Sequence, residues 1–131
     1  MTEAKAFWGP SVWKTLHSFA AAYSPEDADA FLTFVYDVLP NLLPCEWCQI
    51  NFKKKLAVLP PHPYLGSNHD LFFWTYIVHD LANKAITEYV YDSIKKGKKP
   101  DNTAKSSPPY VEVKMLYFTK MKGCRGCKVE I

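Results

Sequence analysis

Two cysteines with two residues between them, in Leu43-Pro44-Cys45-Glu46-Trp47-Cys48-Gln49-Ile50-Asn51-Phe52, limit this chain more than any other stretch. Side chains three residues apart face each other when the backbone turns as a helix does. The segment therefore reads as a first helical turn, with Pro44, which has no N–H to lose, just before or at its start. Thiols placed there feel the positive end of the helix dipole, which favours thiolate and predicts a pKa below the ordinary value of about 8.5. Cys48 and Phe52 share a face, so the second cysteine points along the helix toward an aromatic or apolar neighbour. Cys45, nearer the helix end, is predicted to be the more accessible.

The segments around this pair are helical in pattern. Val12, Trp13, Leu16, Phe19, Ala20 and Tyr23 recur at three- and four-residue steps, with Pro10 and Ser11 as the predicted start. Ser24-Pro25-Glu26-Asp27 combines an N-cap serine, a first-turn proline and an acid in the capping-box slot. A second helix then runs through Phe31, Phe34, Val35, Val38 and Leu39 until Pro40 halts it. The cysteine helix ends near Leu56, with Lys53, Lys54 and Lys55 at its negative end. After the stiff Pro60-Pro61-His62-Pro63 connection, Ser67 or Asn68 caps a fourth helix through Leu71, Phe72, Trp74, Val78, Leu81 and Ile86. That helix is apolar almost all round, which places it inside a bundle. A short fifth helix is expected over 88–96. Beyond it, Lys95 to Pro109 has linker composition, and the alternation of Val111, Val113 and Met115 is strand-like before the chain reaches Cys124-Arg125-Gly126-Cys127.

At 131 residues the chain is one domain by length, and its net charge of +3 does not imply nucleic acid. Aromatics make up 15% of it, which suits ring-filled helix interfaces or a flat aromatic ligand. The polar start and the absence of a long apolar run predict no secretory signal and no membrane span. In a cytosolic chain, Cys-x-x-Cys is redox or metal chemistry more often than a structural disulfide. Zinc ribbons place about 15 to 20 residues between their pairs, whereas about 75 separate Cys48 from Cys124. A thioredoxin-like site needs a strand before the pair, and what precedes Cys45 is helix. His17 and His79 each stand on an apolar helix, with Trp13 and Asn83 four residues away, and read either as core histidines or as ligands.

Trp8-Gly9-Pro10 with Trp13, His17 and Tyr23, then Pro44-Cys45-Glu46-Trp47-Cys48 with Phe52 and Leu56, then Trp74 with His79 and Asn83, resembles the Erv/ALR family of FAD-linked sulfhydryl oxidases. The likeness spans roughly residues 7–86 and is nearest to the short forms of large DNA viruses. It implies an all-α fold: a four-helix bundle with a short fifth helix over 1–97, holding FAD, followed by a linker and flexible tail over 98–131. It implies Cys48 as the cysteine beside the flavin and Cys45 as the one that exchanges with incoming thiols. Cofactor contacts implied are Trp8, Gly9, Trp13, His17, Tyr23, Phe52, Tyr76, His79, Asn83 and Ile86, with no metal. Pro10, Asp80 and Glu88 depart from the family's pattern, and a tryptophan expected near Pro100 is missing. Lys84, Lys95 or Lys96 is the expected replacement for the lost charge.

The activity so implied is oxidation of client protein thiols to disulfides, with electrons passing through the cysteine pair and FAD to molecular oxygen and giving hydrogen peroxide. A homodimer in the cytoplasm, or in the host cytoplasm or virion if the chain is viral, is implied with it. Cys124 and Cys127 match in kind the shuttle disulfide of some family members. From Gly97 the tail counts about 27 residues, on the order of 28 Å as a flexible chain, enough to reach an active site. The alternatives are a zinc-stabilised helical interaction module and a flavin-free thiol-disulfide exchange carrier.

Overall fold

The computed structural model describes residues 3–97 and 105–122. Their order is α1 (Glu3–Ala21), α2 (Ala28–Thr33), α3 (Leu39–Leu42), α4 (Glu46–Val58), α5 (Asn68–Lys95) and α6 (Tyr110–Lys122), with no strand among the described residues. The all-α expectation holds. Helix α2 is entered through a 3-10 turn, Pro25–Asp27, and joined to α3 by a π-turn, Phe34–Val38, so the two form one run. No described helix is long and apolar enough to cross a membrane.

Two prolines act differently from their usual rule. Pro10 lies inside α1, seven residues after its first described residue. The turn that proline weakens carries Lys5 and Trp8 onto the wall of a pocket described below, and that packing compensates the lost hydrogen bond. Pro40 does not halt the second run either. The backbone ahead of it widens, with the Leu39 N–H reaching back to the Phe34 carbonyl, and a wider turn relieves the clash of a proline ring with the carbonyl four residues earlier. The chain then breaks at Leu43, before Pro44.

Elsewhere the local signals hold. The Asp27 carboxylate accepts from the Ser24 N–H at 3.2 Å, and the Ser67 hydroxyl caps α5 by accepting from the Asp70 N–H at 3.1 Å. With no glycine or proline to break it, α5 runs for 28 residues to Lys95 and absorbs the separate helix expected over 88–96. Gly97, at φ 71°, ends it by sending its N–H to the Ile94 carbonyl. The fifth helix of the fold is instead α6, on the stretch whose alternation looked strand-like.

Helices α1 and α5 run antiparallel: Asn68 bonds the Ala21 carbonyl at one end, while Trp8 and Ile86 line one pocket at the other. Leu16, Ala20, Val35, Phe52, Leu56, Leu71, Phe72, Trp74 and Val78 fill the space between the helices. The Trp74 indole N–H, buried in that core, donates to the Leu59 carbonyl at 2.9 Å, as a buried polar group must. Helix α6 lies across the Asn68 end of this bundle, with Phe118 fully inside.

Candidate active site

Cys45 is the N-cap of α4, and its sulfur accepts the Cys48 N–H at 3.2 Å. The first-turn reading is therefore met, and the accessibility order with it: Cys45 is half-buried and Cys48 buried. Cys48 lies in the wall of a partly open pocket between α1, α4 and α5. From α1 come Trp8, Gly9 and Trp13, from α4 Phe52, and from α5 Ile86. The remaining wall is mainly apolar, with Leu39 and Leu43 from the α3 region and Ala82 from α5. Large rings and branched chains with a thiol among them are the kind of lining that a flat heteroaromatic ring packs against.

The thiol chemistry differs from expectation at Cys48. Burial, then a hydrogen bond with Cys45, pushes the Cys48 thiol up to about 11, while the Lys5 ammonium pulls against both. Desolvation outweighs the helix dipole at this position. Lys5, from the first turns of α1, also lies 4.6 Å above the Trp47 ring, and Lys55 of α4 borders the same pocket. Neither lysine was singled out as a site residue in the sequence.

Beyond Trp13 the two long helices hold a polar chain. The Trp13 and His79 rings stack at 4.1 Å, and His17 Nε2 lies 3.1 Å from His79 Nδ1. The Thr75 hydroxyl donates to the Phe72 carbonyl at 2.7 Å, so it accepts from His17 Nδ1 at 2.8 Å. With its proton on Nδ1, neutral His17 accepts at Nε2 from the His79 Nδ1–H, which leaves His79 Nε2 without a proton. Burial, and for His17 also the neighbouring His79, holds His17 down at about 3. Burial likewise lowers His79 to about 4 against the pull of Asp80, so both rings are neutral at pH 7. Thr75, which fixes this order, carried no sequence signal, since a threonine within a buried helix looks like core.

The segment before α6 runs back along α5. The Thr87 hydroxyl accepts from the Lys105 N–H at 3.0 Å, Asn83 donates to Ser107 at 3.0 Å, Ser107 donates to Asp80 at 2.8 Å, and Tyr76 donates to the Pro108 carbonyl at 2.6 Å. Asp80, the departure beside His79, thus holds Ser107, and it also pairs with Lys84 at 2.8 Å. Lys84 is thereby engaged, Lys95 lies over the Tyr91 ring at 5.1 Å, and Lys105 is the cation that acts on His79. Tyr117 of α6 closes over His17 with ring centroids 5.2 Å apart.

Of the predicted cofactor contacts, Trp8, Gly9, Trp13, Phe52 and Ile86 line the pocket with Cys48. His17 and His79 continue from Trp13 away from it, and Tyr76 and Asn83 face the 105–109 segment. Tyr23 is elsewhere: its hydroxyl donates to the Leu65 carbonyl at 2.7 Å and its ring packs on Phe31, at the far end of α1. Cys124 and Cys127 lie outside the described residues. The tail is nevertheless anchored as far as Lys122. Phe118 stacks on His69, at the Asn68 end of α5, whereas Cys48 faces Ala82 and Ile86, on the order of 25 Å farther along that helix.

The profile of the Erv1 / Alr family matches residues 10–99. The chain is 28% identical over 87 residues to the mitochondrial FAD-linked sulfhydryl oxidase ERV1 of Saccharomyces cerevisiae, a match covering 64% of this chain and 45% of that protein. It is 25% identical over 88 residues to the FAD-linked sulfhydryl oxidase of African swine fever virus, covering 63% of this chain and 71% of that one. The chain thus spans less than half the length of the yeast relative. No solved structure matches. The family match takes in most of α1, all of α4 with its cysteine turn, and all of α5, the helices that build the pocket, and the chain belongs to the Erv1 / Alr family.

Proposed function

We propose that this chain is an FAD-dependent thiol oxidase that makes disulfides in client protein thiols and passes the electrons to oxygen. The observation that carries the reading is Cys48 in the wall of an aromatic pocket, bonded through its N–H to a more exposed Cys45. The names of the two relatives, both FAD-linked sulfhydryl oxidases, support it. Trp8, Trp13, Phe52, Leu43 and Ile86 would hold the isoalloxazine ring. A flavin bound there supplies the two-electron acceptor that returns the cysteine pair to its disulfide and delivers the electrons to oxygen as hydrogen peroxide.

The chain's own part is thiol exchange. A client thiolate attacks Cys45 Sγ of the Cys45–Cys48 disulfide; a client–Cys45 bond forms, and Cys48 leaves with the electron pair. A second client thiolate then attacks the client sulfur of that mixed disulfide and releases Cys45. The exposure of Cys45 admits a protein substrate, while the burial of Cys48 keeps its sulfur from reacting with anything outside the pocket. A homodimer belongs to the reading, supported by the exposed apolar side chains of Phe7, Val38 and Leu42. A shuttle role for Cys124 and Cys127 toward Cys45, of the same chain or of a dimer partner, belongs to the reading as well. The test is oxygen uptake with dithiothreitol by the FAD-loaded protein. One peroxide per oxygen consumed, with uptake reduced to background in Cys48→Ser, is expected; uptake retained in Cys48→Ser would overturn the assignment.

A further inference from the structure

The pocket beside Cys48 contains two cations and, among its described lining residues, no carboxylate. Lys5 arrives from α1 and Lys55 from α4, where it stands seven residues after Cys48 on the same face. The α5 and α3-side walls offer only Ala82, Ile86, Leu39 and Leu43. Cys48 itself and Cys45 at the N-cap stand beside them, and Lys54 acts on Lys55 as well. Two ammonium groups beside an apolar slot repel each other and lose water. At Lys55, burial and then the Lys5 charge lower the pKa, while Cys48 raises it.

We propose that Lys5, seconded by Lys55, is the electrostatic partner that stabilises Cys48 as thiolate when it leaves the Cys45–Cys48 disulfide. The step gives the charge a place to form. A client thiolate bonds to Cys45 Sγ, the Cys45–Cys48 bond breaks, and the electron pair goes to Cys48 Sγ with no proton taken up. A thiol leaves faster the lower its pKa, and burial at this site acts in the opposite direction. Lys5 lines the same pocket as Cys48 and pulls its pKa down, and its ammonium stands 4.6 Å over the ring of Trp47, the second residue between the two cysteines. This also gives the early, proline-containing start of α1 a use: without the turns before Pro10, no α1 cation would stand at the pocket.

The inference rests on the exchange role proposed for the cysteine pair, and its test separates the two. In a background of Cys45→Ser, Cys124→Ser and Cys127→Ser, Cys48 is the remaining thiol of the four cysteines. Its acid dissociation constant is followed through the rate of alkylation by iodoacetamide between about pH 6 and 9, where that rate is proportional to the thiolate fraction and lysines keep their charge, with flavin content measured on the same samples. Lys5→Met should lower the acid dissociation constant of Cys48 about tenfold, the usual effect of removing a neighbouring opposite charge. Lys5→Arg should restore it within about threefold, since the charge returns while the geometry changes. Lys55→Met should act in the same direction by less. Equal titration of Lys5→Met and its parent would overturn the assignment, as would loss of flavin in Lys5→Met with the thiol unmoved, which would make Lys5 a cofactor ligand. A flavin-free parent would instead count against the oxidase reading, while the titration still decided the role of Lys5.

Discussion

The same two helices, α1 and α5, make an open site at one end and a closed one toward the other. Around Trp8 and Ile86 they diverge enough to leave an apolar pocket with a thiol and two lysines on its walls. Around His17 and Thr75 they meet through a continuous hydrogen-bonded chain, over which α6 lays Tyr117 and Phe118. The contrast separates two jobs. The closed end holds the register of the helices, because neutral histidines with fixed tautomers tolerate little sliding. The open end can then keep unfilled space beside Cys48 without the bundle collapsing into it.

Breaking the closed end should therefore cost stability. The largest effect is expected at Phe118, 2% exposed against Phe72 and His69. Phe118→Ala should destabilise the fold by about 3–5 kcal/mol, read from denaturant midpoints, whereas Leu116→Ala, on the exposed side of α6, should be close to neutral. Equal losses at the two positions would mean that α6 is not seated as described.

Acid should act on the same end. His17 and His79 titrate below their ordinary value when folded, at about 3 and about 4, so below pH 6.5 the unfolded chain binds the more protons. Their contribution to stability is complete above 6.5 and is lost as pH falls toward those folded values. Between pH 6.5 and 5 the loss for the two together should be on the order of 3 kcal/mol, and a His17→Gln, His79→Gln protein should show a flatter profile. An unchanged slope in that variant would return the acid response to the carboxylates.

A smaller change sharpens the point. Thr75→Val keeps the volume but removes the acceptor for the His17 N–H, at a cost of about 1–3 kcal/mol. Melting of this variant at the wild-type temperature would show that Thr75 does not set the histidine order.

The two ends were not equally legible in the sequence. The cysteine turn, Cys48 over Phe52, and Trp13 with His17 are set by three- and four-residue spacings within one helix, and local rules read such spacings well. Pro10 and Pro40 were misread because their rule concerns an isolated helix, while here packing of the preceding turn and a π-turn compensate. In α6 the alternation of Val111, Val113 and Met115 misled, since Val111 and Met115 are exposed. The residues that pack are Tyr110, Val113, Tyr117, Phe118 and Met121, which have the helical period. Thr75, Ser107 and Lys5 were invisible for a different reason: each acts on a partner far away in sequence, and no local pattern carries that information.

The central claim, that the pocket beside Cys48 holds the electron acceptor for the cysteine pair, is tested most directly by the visible absorption of the purified protein during anaerobic addition of a dithiol. The account predicts a flavin band that bleaches rapidly in the wild type and persists, at the same flavin content, in Cys48→Ser. A colourless protein, or a band that bleaches equally fast without Cys48, would contradict it.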